Sequence, residues 1–123
     1  MIKFNSLNKS EEFIRILRSK RINTKYFIVY FLKNFRNKKK NINKYLNISF
    51  VVKKKVGSAV IRNKIKRKLK SAIQKISEEK QLINLNYTYV IFGKNNVYKD
   101  KFINVLTDVN ETFKKIKYMD NKI

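Results

Sequence analysis

The chain has 123 residues, of which 43% are hydrophobic, enough for one domain with one core. Thirty-one Lys and Arg against eight Asp and Glu give a net charge of +23, which favours a polyanionic partner, whether nucleic acid or an anionic membrane surface. The absence of Cys excludes disulfides and thiolate metal sites, and the absence of His, with so few acids, removes most of what a protein active site is built from.

No apolar run approaches the roughly 18 to 20 residues needed to span a bilayer, and the N-terminus has no signal-peptide apolar region. A cytoplasmic protein is therefore expected. Lys, Asn and Ile are abundant and Lys far exceeds Arg, as in chains encoded by AT-rich genes, so Lys can stand where Arg would otherwise be expected.

Taken in chain order, residues 8–19 (NKSEEFIRILRS) predict a first helix, with Asn8 and Glu11 as a capping box or Ser10 as the cap. Phe13, Ile16 and Leu17 form its apolar face. Residues 25–33 (KYFIVYFLK) are aromatic and β-branched enough to predict a strand. Alternation puts Tyr26, Ile28, Tyr30 and Leu32 on one side and Phe27, Val29 and Phe31 on the other. A basic, flexible loop is expected over 34–45. A second strand follows, with Leu46, Ile48, Phe50 and Val52 on one face.

Gly57 and Ser58 then open a basic helix, with Ser58 as its N-cap, that runs to about Glu79. YTYVIF at 87–92 predicts another strand, ending near Gly93. Phe102, Leu106, Val109, Phe113 and Ile116 recur at helical spacing and predict a closing helix over 99–117, followed by a frayed tail at 118–123. The order is helix, two strands, helix, strand, helix, with room for a short extra strand near 22–24. The expected result is α+β: one compact domain over 1–123, a small mixed sheet packed by helices.

The segment from Lys53 to Lys70 holds nine Lys or Arg and no acid. At about 100° per residue, Ile61, Ile65, Leu69, Ala72, Ile73 and Ile76 make a stripe wide enough to dock on a sheet. Arg62, Asn63, Lys66, Arg67 and Lys70 cover one continuous face beside it, while Lys64 lies on the opposite flank. Guanidinium forks, ammonium groups and an amide suit phosphates and bases. The competing reading is a solvated face carrying charge for solubility, but such faces normally mix signs, and no acid sits four residues from any of these cations. Lys53, Lys54 and Lys55 add charge in the turn before Gly57.

Residues 50–73 (FVVKKKVGSAVIRNKIKRKLKSAI) resemble the signature of the bacterial ribonuclease P protein subunit family. There, a strand ending in basic residues leads through Gly-Asn-Ala-Val into a helix of Arg-Asn-Arg-x-x-Arg type. Gly57, Ser58, Ala59, Val60, Arg62, Asn63, Lys66 and Arg67 match or nearly match it. The first helix (Leu7 to Arg18) and YFIVYF also resemble the family, as do length and element order. The chain departs with Lys at 64 and 70 where the family usually has Arg, Ser58 for Asn, and Ser19-Lys20-Arg21 where a glycine is expected. Lys keeps the charge but lacks the planar fork.

The resemblance implies a protein subunit that binds a catalytic RNA and the single-stranded 5′ leader of precursor tRNA. The holoenzyme removes that leader with Mg²⁺ held largely by RNA. It implies an RNA-subunit face made of Lys53, Lys54, Lys55, Arg62, Asn63, Lys64, Lys66, Arg67 and Lys70. It also implies a leader cleft between sheet and first helix lined by Phe13, Leu17 and Tyr30, with Tyr26 a further candidate. The protein should be monomeric, one per RNA, away from membranes, and its fold should contain a left-handed β-α-β crossover. Tyr stacking beside cations suits a sequence-tolerant single-strand site; these same residues could otherwise be core.

No catalytic side chain or protein-bound metal is expected; Asp108 and Glu111, three apart on a helix, could share an ion or sit as surface charges. The alternative functions are a small ribosomal or other structural RNA-binding protein, or a nucleoid-type DNA-binding protein.

Overall fold

The computed structural model describes residues 3–7, 10–33, 45–79 and 83–121. The expected capping residue Asn8 and all but the last residue of the 34–45 loop lie outside them. The elements are β1 (Lys3–Asn5), α1 (Ser10–Leu17), β2 (Lys20–Asn23), β3 (Phe27–Lys33), β4 (Tyr45–Val51), α2 (Ala59–Glu79), β5 (Tyr87–Gly93), α3 (Asn95–Lys99) and α4 (Phe102–Asn121).

The five strands form one mixed sheet in the order β1-β4-β5-β3-β2. β5 is central, antiparallel to β3 and parallel to β4, and Tyr87 to Ile91 are all buried, as a strand covered on both faces requires. β4-α2-β5 is thus a parallel β-α-β unit with its strands adjacent.

Neighbours Phe92 and Gly93 show the two faces of the sheet. Phe92 turns toward Phe13 of α1, ring centroids 6.4 Å apart. Gly93 turns the other way, where an added Cβ would lie 2.7 Å from Ile65 and 3.0 Å from Leu69 of α2. On that second face lies the core: Phe27, Val29, Phe31, Leu46, Ile48, Tyr89 and Ile91 of the sheet against α2 and α4. The apolar stripe of α2 is seated as its periodicity predicts, with Ile65, Leu69, Ala72, Ile73 and Ile76 buried and Ile61 packed at its edge. Ser58 caps this helix: its Oγ accepts from the Ile61 N–H at 3.3 Å. A 3-10 turn at Lys54–Val56 leads into it.

Four expectations change. β1 was not foreseen; three residues, paired parallel to β4, carry too little pattern to read. A short helix, α3, precedes the closing helix and was not foreseen, and the closing helix itself, α4, begins at Phe102 and runs as far as Asn121. The core face of α4 is Val105, Val109, Phe113 and Ile116, while Phe102 is exposed and Leu106 only half-buried.

The fourth change concerns Tyr26. It precedes β3, in a turn organised by Thr24, whose Oγ1 accepts from the N–H groups of Tyr26 and Phe27 at 3.1 Å each. Strand alternation therefore does not reach it. Its ring is buried in the core and its hydroxyl donates to the Asp100 carboxylate, away from Tyr30. Where the expected glycine is missing after α1, the Ser19 N–H and hydroxyl both bond to the Ile16 carbonyl and close the helix before β2.

Asp100 ties three elements together. Besides Tyr26, its carboxylate accepts from Asn104 Nδ2 at 2.8 Å and the Lys101 N–H at 2.7 Å, and its carbonyl accepts from Lys68 of α2. The Tyr26 hydrogen bond, then those from Asn104 and Lys101, hold the Asp100 pKa down to about 2. Bonding to that carboxylate, then burial, pushes the Tyr26 phenol up to about 12.

Below the ordinary carboxylate range near 4 the unfolded chain takes up a proton that folded Asp100 still refuses, so stability is lost as pH falls toward about 2. Asp100→Asn should therefore melt lower than the parent at pH 6 but lose less between pH 4 and pH 2. Thermal melts across that range check this, and equal acid slopes in both proteins would assign the acid sensitivity elsewhere.

Candidate nucleic-acid interface

Two basic surfaces emerge, one on each side of the sheet. The first is the outer face of α2. Asn63, Arg67 and Lys70 are exposed, and Arg62 and Lys66 are half-buried beside the docked stripe. Arg62 Nε donates to the Gly57 carbonyl at 3.2 Å, which fixes the side chain against the helix start. Lys70 Nζ sits 5.8 Å from the Phe50 ring centroid. Among the described residues no carboxylate forms an ion pair with Arg62, Lys66, Arg67 or Lys70. Four cations held on one helix without compensation repel one another and favour an external polyanion.

Lys64 does not join them. It lies on the other flank, Nζ 6.0 Å from the Tyr98 ring, next to the side on which Lys68 reaches Asp100. Lys54 and Lys55 are exposed in the turn that precedes the helix.

The second surface is the sheet face beneath α1. Tyr30 and Phe92 meet edge to face at 5.7 Å, and Phe13 of α1 meets Phe92 from above. Arg21, opposite Tyr30 in the β2–β3 register, donates from Nη1 to the Tyr30 hydroxyl at 3.4 Å. Lys53 Nζ lies 5.6 Å from the Phe92 ring, so it serves this face more directly than the α2 face. Leu17 is on the edge of α1 and exposed. Of the four residues expected here, Phe13 and Tyr30 both meet Phe92, Leu17 is exposed at the last position of α1, and Tyr26 is elsewhere.

Sequence reasoning missed Phe92 and Arg21. Alternation alone placed Phe92 on one side of its strand; only the register Ile28↔Phe92 shows that this is Tyr30's side. Aromatic faces with cations at their edges can stack unpaired bases and hold the backbone that joins them. Among the described residues no group of three or more Asp or Glu could hold a metal ion, and no helix is long and apolar enough to cross a membrane.

The Ribonuclease P family model matches residues 1–117. The chain is 36% identical over 107 residues to the ribonuclease P protein component of Carboxydothermus hydrogenoformans, covering 86% of this chain and 85% of that one. It is 34% identical over 119 residues to the corresponding protein of Clostridium botulinum, covering 94% and 86%. The structure of the RNase P protein from Thermotoga maritima superposes with a TM-score of 0.71 at 24% identity, over 90% of this chain and 96% of that one, and shares its fold.

Proposed function

Because the chain belongs to the ribonuclease P protein family, whose members are subunits of a ribonucleoprotein endoribonuclease, we propose that its two basic surfaces divide the two RNAs between them. The outer face of α2 binds the catalytic RNA, and the sheet face under α1 takes the single-stranded 5′ leader of precursor tRNA. The observation that carries this reading is the opposition of Phe92 and Gly93: one strand presents an aromatic, cation-edged surface on one side and seats the basic helix on the other.

Arg62, Lys66, Arg67 and Lys70 neutralise phosphates of the RNA subunit, with Asn63 free to read a base edge or a sugar. Lys54 and Lys55 extend that charge across the turn. On the opposite face, leader bases stack on Tyr30, Phe92 and Phe13 while Arg21 and Lys53 hold their phosphates. Leader positioning brings the scissile phosphate to the RNA's Mg²⁺; the protein supplies binding and orientation, and RNA supplies the metal ligands. One protein per RNA, working in the cytoplasm, is the simplest assembly consistent with these surfaces.

Reconstitution with the cognate RNA and precursor tRNAs of long and short leader at low Mg²⁺ tests the division. Base stacking on an aromatic side chain is worth about 1–3 kcal/mol. Phe92→Ala should thus lose about tenfold of the affinity that a long leader adds, while binding to the RNA subunit alone stays within about twofold of the parent. A leader-dependent gain undiminished in Phe92→Ala and Tyr30→Ala would move the leader to another surface.

A further inference from the structure

We propose that a groove between β1 and α2, on the same side of the sheet as the basic helix, holds a single unpaired nucleotide of the RNA subunit. This deepens the assignment of the α2 face and rests on it. The groove is shallow and open to solvent, offers about 450 Å³ and is lined by Phe4, Lys70, Ser71, Gln74, Lys75 and Glu78, a volume within the range of small-molecule sites, about 300–1,000 Å³.

Its chemistry is that of a base site. Phe4 packs on Phe50 with centroids 5.9 Å apart, and Lys70 lies over that same Phe50, so aromatic surface and cation adjoin. Gln74 Nε2 donates to Glu78 Oε2 at 2.7 Å. A carboxylate accepts only, so this bond orients the amide and leaves Gln74 Oε1 for an incoming donor. Glu78 offers further acceptor capacity, which suits the amino and imino groups of a Watson–Crick edge.

The acid also decides between occupants. An acidic peptide would set its carboxylates against Glu78, whereas a nucleotide can place its base toward Gln74 and Glu78 and its phosphate toward Lys70 and Lys75. A base inside a duplex cannot enter; the occupant must be unstacked, as in a loop or bulge. The groove thereby adds to a charge-driven interface an element that distinguishes folded RNA from generic polyanion.

The test is 2′-hydroxyl acylation footprinting of the RNA subunit with the full-length protein, in the presence and absence of precursor tRNA. The variants are Gln74→Ala on the α2 flank, Phe4→Leu, and Arg67→Ala as the charge control. With the parent protein one unpaired nucleotide of the RNA subunit is protected. Gln74→Ala and Phe4→Leu release that nucleotide, leave the rest of the footprint intact, and weaken binding about tenfold with an unchanged salt slope, because neither removes a charge. Arg67→Ala weakens binding and lowers the slope by about 1 while keeping the nucleotide protected at saturation.

Parent-like affinity and protection in Gln74→Ala overturn the groove, whatever Phe4→Leu does to folding. Release of a nucleotide of precursor tRNA instead overturns the RNA subunit as its source. An Arg67→Ala protein with parental affinity and slope overturns the α2-face assignment itself, an outcome distinct from failure of the groove.

Discussion

Replacing Arg62, Lys66, Arg67 and Lys70 together by Gln should lower affinity for the RNA subunit by about three orders of magnitude at about 0.1 M salt. Each phosphate neutralised by protein releases roughly 0.7 to 0.9 of a counterion, so four lost contacts flatten the salt slope by about 3. All four cations lie along one face of α2, and none is spent on a carboxylate among the described residues. Gln keeps helix propensity near that of the residues it replaces. It also removes self-repulsion, so the variant should fold. Filter binding across a salt series gives both quantities. A parental slope in the fourfold variant would mean that the RNA touches some other face.

The second large effect is steric. Gly93→Ala should destabilise the protein by about 1–3 kcal/mol, and Gly93→Val by more, because the added atoms overlap a packed helix. The Cβ would stand 2.7 Å from Ile65 Cγ2, 3.0 Å from Leu69 Cδ1 and 3.2 Å from Val52 Cγ2. Ile65 and Leu69 are fully buried and cannot swing aside, so α2 itself must move. Gly93→Ala should therefore cost less in an Ile65→Ala background than in the parent, a coupling that denaturant melts of the double-mutant cycle can read. Additive effects would show that the helix is not resting on this glycine.

Much of this was legible in the sequence wherever one residue's pattern sufficed. The stripe Ile65-Leu69-Ala72-Ile73-Ile76 and the Ser58 cap follow from periodicity and local hydrogen bonding, which the fold has no reason to override. What failed depended on pairing at a distance. Tyr26 shares a period-2 pattern with Tyr30, yet the Thr24 turn takes it out of the strand and Asp100, 74 residues away, claims its hydroxyl. Phe92 and Lys53 entered the aromatic face only through sheet register and the turn before α2. Lys64 joined the expected RNA-subunit face only through the family resemblance; periodicity alone sets it on the opposite flank, where α3 now lies.

The position of β5 has a consequence for how such a protein comes into being. Its residues, 87–93, bond to both β3 and β4, so neither half of the sheet can join the other until they have left the ribosome. The β2–β3 hairpin can close from neighbouring residues before then. The basic helix, complete at residue 79, cannot be seated when it emerges, because the strand carrying Gly93 has not yet left the ribosome. A growing chain thus displays its cations to surrounding RNA before it has the platform that aims them. Attraction is synthesised first and selectivity last.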